Sequence, residues 1–197
     1  RRVDIGVRGD RVVALGDLSA ARAARSIDAR GLAVAPGFIN MLSWATDSLM
    51  HDARAMSDIK QGVTLEVFGE GWSMGPLNAA MRATALAQQG DIRYPIDWTT
   101  LGEWLEGLER RGVSTNVASF VGATTVRIHE LGYADRAPSG AELARMQELV
   151  RAAMREGALG VGASLIYAPA LDAQTAERTA LARSAGDEGG GCVADRG

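Results

Sequence analysis

A pattern of strand, glycine-rich loop and helix occurs twice in succession between residues 34 and 76, and it constrains the fold more than any other feature. The two units begin with residues 34–44 and 63–73, and each loop follows the carboxyl end of its strand. Proteins with parallel β/α units place their ligand-binding side chains at that end. Glu70 lies between two glycines, which let backbone approach a ligand closely, and it is therefore the best-presented acid of the repeat.

The order of strand then helix continues along the rest of the chain and predicts a parallel sheet. The predicted strands lie at about residues 36–42, 63–69, 115–122 and 159–166. A complete eight-stranded β/α barrel takes roughly 200 to 250 residues, whereas the region after residue 35 supplies four units and the start of a fifth. The predicted fold class is therefore α/β, with residues 36–197 forming about the first half of a (β/α)8 TIM-like barrel.

Two predicted helices begin with a capping box, in which a hydroxyl and a carboxylate satisfy the free amides of the first turn. The pairs are Thr100 with Glu103 and Ser139 with Glu142, and Gly112 and Gly157 mark the helix ends. Between residues 140 and 156, apolar residues recur at helical spacing, which predicts a face packed against the sheet.

The first 35 residues are predicted to form part of a separate small β domain. Apolar residues alternate with other residues on both sides of Gly9-Asp10, which predicts a hairpin. A short third strand is expected over Leu32–Ala35. Because the chain starts at Arg1 inside this pattern and ends just after an apparent strand, both ends are expected to be cut.

Composition and charge indicate which broad class of protein this chain belongs to. With 47% hydrophobic residues and a net charge of -3, the chain is typical of soluble globular proteins. It has no basic stripe and no apolar run long enough to span a membrane, so neither nucleic acid nor membrane is an expected partner, and the expected location is cytoplasmic. One cysteine, Cys192, and two histidines, His51 and His129, are too few for a disulfide or a histidine-based metal site.

Several strings resemble known enzymes. Residues 35–40 and 61–64 resemble the amidohydrolase superfamily. The longer strings 69–76, 116–122, 126–129 and 157–169 resemble the N-acyl-D-amino-acid deacylase (D-aminoacylase) family. The resemblance extends to about residue 170 and weakens after it, and it indicates the amino-terminal portion of such a protein.

The resemblance implies a zinc-dependent hydrolase with a central barrel and a small β-sandwich built from both chain ends, to which residues 1–35 would contribute. It implies a small-molecule substrate, an N-acyl-D-amino acid or related amide, whose C–N amide bond is cleaved. A metal-activated water attacks the carbonyl and a barrel aspartate moves the proton.

The chain departs from that pattern at the implied metal ligands. Leu42 and Trp44 align with the His-x-His of the first barrel strand, and neither binds zinc. Glu70 aligns with a cysteine-ligand loop and is the candidate zinc ligand, since carboxylates bind zinc; otherwise it accepts loop amides, pairs with an arginine or faces solvent. Asp195 aligns weakly with a fifth-strand histidine. No catalytic residue is assigned, because the implied proton shuttle would lie beyond residue 197.

Candidate substrate-binding residues are those at strand ends. Trp44 and Trp72 either line an acyl pocket or pack in the core, and Ser164 and Tyr167 hydrogen-bond either a substrate carboxylate or the protein itself. His129 faces the pocket or makes a structural hydrogen bond.

Three further residues have plain interpretations. Arg127 is expected to pair with Glu70, Glu130 or a substrate carboxylate, His51 is expected at the surface, and Cys192 is given no catalytic role.

Two functions from different classes remain open on the sequence. The first is a metal-dependent amidohydrolase, of which this chain is a truncated part. The second is a catalytically inactive or truncated homologue that acts only as a structural or interaction module, which the missing His-x-His favours. A hydantoinase-like cyclic-amide hydrolase is a weaker third alternative, against which residues 164–167 argue.

Overall fold

The computed structural model describes the backbone of residues 3–195 and the side chains of residues 3–193. The side chain of Asp195 therefore lies outside the described residues. The chain divides into two compact units, Arg1–Pro36 and Gly37–Gly197.

The first unit contains the predicted hairpin. Strands β1 (Asp4–Arg8) and β2 (Arg11–Gly16) pair antiparallel, and Gly9 in the turn has a φ of 62°. The predicted strand over Leu32–Ala35 is wrong, because these residues form no strand. Leu32 and Val34 are exposed, at 74% and 64%, so the run of strand-forming residues is not matched by packing on a pleated surface, and β propensity alone does not make a strand.

Six short strands build the second unit, and all of their described pairings are parallel. They are β3 (Phe38–Asn40), β4 (Val63–Phe68), β5 (Asn116–Ser119), β6 (Val121–Gly122), β7 (Gly160–Ser164) and β8 (Gly191–Asp195). Their order is β3-β4-β5 in one sheet and β6-β7-β8 in the other.

The predicted strand over 115–122 is thus interrupted at Phe120, but hydrogen bonding continues past the break. The amide of Phe120 donates to the carbonyl of Phe68 at 2.9 Å, and the amide of Leu159 donates to the carbonyl of Ser119 at 2.9 Å. Parallel segments that neighbour one another in chain order are what consecutive units of a β/α barrel require. Closure into a barrel stays a prediction.

Helices connect these strands, as the alternating pattern predicts. They are α1 (Thr46–His51), α2 (Met56–Lys60), α3 (Ala79–Gln88), α4 (Leu101–Arg111), α5 (Ala123–Leu131), α6 (Gly140–Arg155) and α7 (Thr175–Asp187), with a 3-10 turn at Ala170–Asp172. Both capping boxes are present, at Thr100 and Ser139, and Gly112 and Gly157 have φ of 75° and 102° at the helix ends. No helix within residues 3–195 is both long and apolar enough to cross a membrane.

The apolar face of α6 is buried as predicted, through Met146, Val150 and Ala153. It packs against α5 and α7 as well as strand β6, so its neighbours are helices as much as the sheet. This packing fixes α5, which carries part of the site described next.

Candidate functional site

The loop after β4 carries the acid that the sequence singles out. Gly69 and Gly71 have φ of 93° and 72°, in the left-handed region that favours glycine. A β-carbon at Gly69 would overlap the carbonyl of Phe120, and one at Gly71 would lie 2.9 Å from Cβ of Ser164. The loop therefore lies directly on the neighbouring strand ends, and the two glycines allow this close approach.

Hydrogen bonds fix this loop to the start of α5. The carbonyl of Gly71 accepts from the amide of Thr124 at 3.0 Å. The amide of Ser73 donates to Oγ1 of Thr125 at 2.8 Å, and Oγ of Ser73 accepts from the amide of Gly122 at 2.9 Å. The residues between and beside the two glycines are thereby held at the carboxyl ends of the strands.

A cavity of about 660 Å³ opens at the carboxyl ends of β3 and β4, between α3 and α5. Aromatic rings and methionines line it, namely Trp44, Phe68, Trp72, Met74, Met81, Tyr94, Trp98 and Tyr133. Two carboxylates, from Asp47 and Glu70, and the imidazole of His129 also line it. Small-molecule sites typically measure roughly 300 to 1,000 Å³ and combine apolar walls with a few polar groups, so this cavity suits a small ligand with apolar parts.

The wall that α3 contributes is tied to the rest of the site. Asn78 caps α3 and donates from Nδ2 to the carbonyl of His129 at 3.0 Å. Trp98 donates from Nε1 to the carbonyl of Met74 at 2.6 Å. These bonds join α3 and the following segment to α5 and to the loop after β4.

Tyr94 forms part of the wall beside α1. Its Oη donates to Oδ1 of Asp47 at 2.5 Å, and its ring stacks on Trp98 with centroids 6.2 Å apart. Burial, and then the bond to Asp47, raise the pKa of Tyr94 well above its ordinary value. The phenol therefore remains a donor at neutral pH and keeps one oxygen of Asp47 bonded.

Three of the residues singled out by the sequence, Trp44, Glu70 and Trp72, lie together on the cavity wall. Trp44 is 60% exposed and Trp72 is 38% exposed. Exposed rings on the wall of a cavity are available to a ligand, unlike rings packed in a core.

The structure does not bring Ser164 and Tyr167 onto that wall. Ser164 is buried beside Gly71, at the end of β7. Tyr167 is 59% exposed, and its carbonyl accepts from the amide of Ala170 at the start of the 3-10 turn.

Sequence reasoning passed over Glu66, which lies in the middle of β4 and is only 1% exposed. Its Oε2 accepts from Oγ of Ser43 at 2.8 Å, and its Oε1 accepts from Oγ1 of Thr115 at 3.1 Å. Ser43 also lines the cavity. The available signal was an acid inside a mostly apolar strand, because a buried acid is tolerated only when it has hydrogen-bonding partners.

The expected partner of Arg127 is wrong. Its Nη1 bonds Oε2 of Glu177 in α7 at 2.6 Å, with both side chains buried, and its Nη2 donates to the carbonyls of Ala134 and Arg136. The physical reason is the direction of the side chain. The guanidinium group of Arg127 points from α5 toward α7 and the loop after α5, and Arg127 does not line the cavity.

His129 lies on the cavity wall and also makes a side-chain hydrogen bond, so both interpretations left open by the sequence apply. Its Nδ1 lies 3.1 Å from Oε1 of Glu130, whose Oε2 accepts from Nε of Arg145 at 2.6 Å. His51 is exposed, as expected.

No protein-family model matches the sequence. The D-aminoacylase of Alcaligenes xylosoxydans xylosoxydans is 36% identical over 194 residues, which cover 96% of this chain and 39% of that protein. The N-acyl-D-aspartate deacylase of the same organism is 36% identical over 90% of this chain and 36% of its own length. This chain is a homologue of the D-aminoacylases. It spans less than two fifths of the length of these curated relatives.

The solved structures that this chain resembles come from the same group of enzymes as its relatives in sequence. A D-aminoacylase described as defining a novel subset of amidohydrolases has a TM-score of 0.82 at 34% identity, covering 98% of this chain and 40% of that one. The N-acyl-D-glutamate deacylase of Bordetella bronchiseptica, solved with zinc and a phosphonate mimic of the tetrahedral intermediate, has a TM-score of 0.78 at 32% identity, covering 98% and 41%. The α/β fold of this D-aminoacylase homologue is therefore shared with amidohydrolases.

The described donor atoms of this D-aminoacylase homologue do not by themselves fit a zinc site. Among the side chains that the structure describes, no three His, Cys, Asp or Glu residues come together as metal ligands. Leu42 and Trp44 stand where the resemblance implies histidines, and neither offers a ligand atom. Asp47, Glu70 and His129 line one cavity without forming such a group. Of these three, Glu70 is the residue that the resemblance implies as a ligand.

Proposed function

We propose that this chain forms the substrate-binding wall of an amidohydrolase that cleaves the C–N amide bond of N-acyl-D-amino acids or related amides. The observation that carries the proposal is the aromatic cavity at the carboxyl ends of β3 and β4, in a chain homologous to D-aminoacylases. Because the relatives are more than twice as long, the reaction is proposed for the natural protein that contains this chain.

Each proposed residue role follows from its chemistry. Trp44 and Trp72 take the apolar acyl group or side chain, because burying apolar surface contributes about 25 cal/mol per Å². Ser164 and Tyr167 lie at and just beyond the end of β7, outside the wall of this cavity, and they are proposed to hydrogen-bond polar atoms of the substrate that extend beyond it. The alternative for these last two is hydrogen bonding within the protein.

The first test is hydrolysis by the natural gene product that contains this chain. We expect it to release acetate from N-acetyl-D-amino acids faster than from the L-enantiomers. Bound zinc is measured on the same preparation, because the resemblance implies zinc as the cofactor. Absence of hydrolysis with zinc supplied would reject the proposal.

That outcome would favour a second candidate, a homologue that is catalytically inactive and acts only as a structural or interaction module. The observation behind it is the presence of Leu42 and Trp44 at positions where the resemblance implies histidine ligands. Such a protein would retain the fold and the cavity but would neither hold zinc nor turn over an amide.

Glu70 is proposed as a zinc ligand. Glu70→Gln keeps the size of the side chain and removes its charge, so zinc affinity should fall at least about tenfold, as losing even an outer-shell partner of a metal does. Zinc content is measured by mass spectrometry at graded zinc concentrations. Glu106→Gln, at an acid whose side chain is 70% exposed on α4, is the matched control. Unchanged zinc affinity in Glu70→Gln would leave Glu70 as an acid that only holds its loop.

A further inference from the structure

One face of α5 is directed at the cavity. The cavity-lining residues of this helix and its end are Thr125, Ile128, His129 and Gly132. Residues three, four and seven apart lie on the same side of a helix. His129 is therefore on the stripe of α5 that lines the cavity, and its backbone is held there by the bond from Asn78.

The ring of His129 is held in one orientation. The carboxylate of Glu130 can only accept, so Nδ1, 3.1 Å from it, carries the hydrogen and Nε2 remains for another partner. Arg145 donates to the other oxygen of Glu130 at 2.6 Å. The side chains of Glu130 and His129 are 11% and 22% exposed, which limits competition from water. A carboxylate hydrogen-bonded to an imidazole fixes the tautomer and the orientation of the ring.

The charges around the cavity give this ring a distinct role. Among the cavity-lining residues that the structure describes, His129 is the one that can carry positive charge. Asp47 and Glu70 are acidic, so an anionic ligand would be repelled unless a cation or strong donor met it. Ser164 and Tyr167 are neutral and lie off the wall.

We infer that His129 binds the carboxylate of an N-acyl amino acid in its doubly protonated form, in which Nε2 donates to the ligand while Nδ1 donates to Glu130, and that Glu130 is its positioning residue. The inference rests on the proposed function, because the ligand class comes from there. It assigns the end of the cavity at α5 to the carboxylate and leaves the tryptophan-lined part for the apolar groups.

The test compares two ligands that differ only in charge. N-methanesulfonyl-D-leucine has no amide carbonyl to hydrolyse and keeps the carboxylate, whereas its carboxamide is neutral. Dissociation constants are measured by calorimetry on the natural gene product. The unmodified protein should bind the acid about tenfold more tightly than the carboxamide, the size of one charge-assisted hydrogen bond. His129→Gln should remove this preference and leave carboxamide binding within about twofold.

Two further variants make the test specific. Glu130→Gln should reduce the preference by less than His129→Gln does, because the ring loses its charged partner but keeps Nε2. His51→Gln changes the other histidine, which is exposed at the end of α1 and outside the cavity, and should leave both constants unchanged. Thermal melting of every variant confirms that it is folded.

The outcomes separate this inference from the proposed function. If the unmodified protein shows no preference for the acid, or if folded His129→Gln keeps it, the inference is overturned. If His129→Gln does not fold, an unchanged preference in Glu130→Gln overturns it. If His129→Gln loses the preference for the acid but the unmodified protein does not hydrolyse N-acetyl-D-leucine, the proposed activity is rejected and the carboxylate site is retained.

Discussion

A buried carboxylate shows how single residues hold the site together. Glu66 lies between Ser43, which lines the cavity, and Thr115, which precedes β5. An acid with both oxygens bonded is tolerated inside a sheet, whereas the same acid without partners is strongly unfavourable. The two hydroxyls therefore matter more for stability than exposed ones do.

Removing either hydroxyl should destabilise the protein. Ser43→Ala or Thr115→Val leaves an oxygen of Glu66 without its partner, at a cost of about 1 to 3 kcal/mol in the free energy of unfolding. Urea unfolding measures this cost. Ser114→Ala, at a neighbouring exposed serine, is the control and should change stability by less than about 0.5 kcal/mol. Equal stability of Ser43→Ala and the control would contradict the role given to Glu66.

At the scale of elements, helix ends are determined by nearby residues. In α4, Oγ1 of Thr100 accepts from the amide of Glu103 at 3.2 Å, and Oε2 of Glu103 accepts from the amides of Thr100 and Thr99. These amide bonds, that of Thr100 first, hold the pKa of Glu103 below its ordinary value. The box therefore depends on pH.

Two substitutions test the capping box of α4. Thr100→Ala should lower the free energy of unfolding by about 1 kcal/mol. The Glu103 contribution is fully present above the pKa of the unfolded carboxyl and is lost as pH falls through the lower folded pKa. Glu103→Gln should therefore be less stable than the unmodified protein at neutral pH, and the difference should shrink in acid. Melting temperatures across pH measure it, with Glu106→Gln as the control; a difference independent of pH would contradict the assignment.

The same locality explains which predictions held. Capping boxes at Thr100 and Ser139 involve residues three apart, so a short sequence window contains all the information. The strand-end rule likewise placed Trp44, Glu70 and Trp72 near one another without knowledge of distant contacts. These three lie on the wall of one cavity.

Other features depend on residues that are far apart in the chain. Arg127 and Glu177 are separated by 50 positions, and no local pattern identifies one as the partner of the other. His129 could be assigned to the cavity wall only once the start of α5 was known, because helix phase decides which side chains face inward. The strand expected at Leu32–Ala35 failed for the complementary reason that propensity does not supply a packed surface.

Parallel connectivity makes the second unit as a whole depend on such distant contacts. Within each sheet a strand pairs with the next only after one or more intervening helices, so helices must be fixed to one another for the strands to keep their order. The ion pair between Arg127 and Glu177 does this for α5 and α7, since Nη1 and Oε2 are 2.6 Å apart and both side chains are buried. Breaking it should therefore affect the whole unit.

Arg127→Met leaves Glu177 buried without a cation, which typically costs about 3 to 5 kcal/mol in the free energy of unfolding. The double variant Arg127→Met with Glu177→Leu removes both charges and should recover much of that loss, because a well-packed apolar pair often replaces a buried ion pair without penalty. Denaturant unfolding of both variants measures the difference. Arg110→Met breaks an ion pair whose side chains are each 70% exposed, and should cost less than about 1 kcal/mol. A loss in Arg127→Met no larger than in Arg110→Met would mean that the buried pair does not fasten α5 to α7.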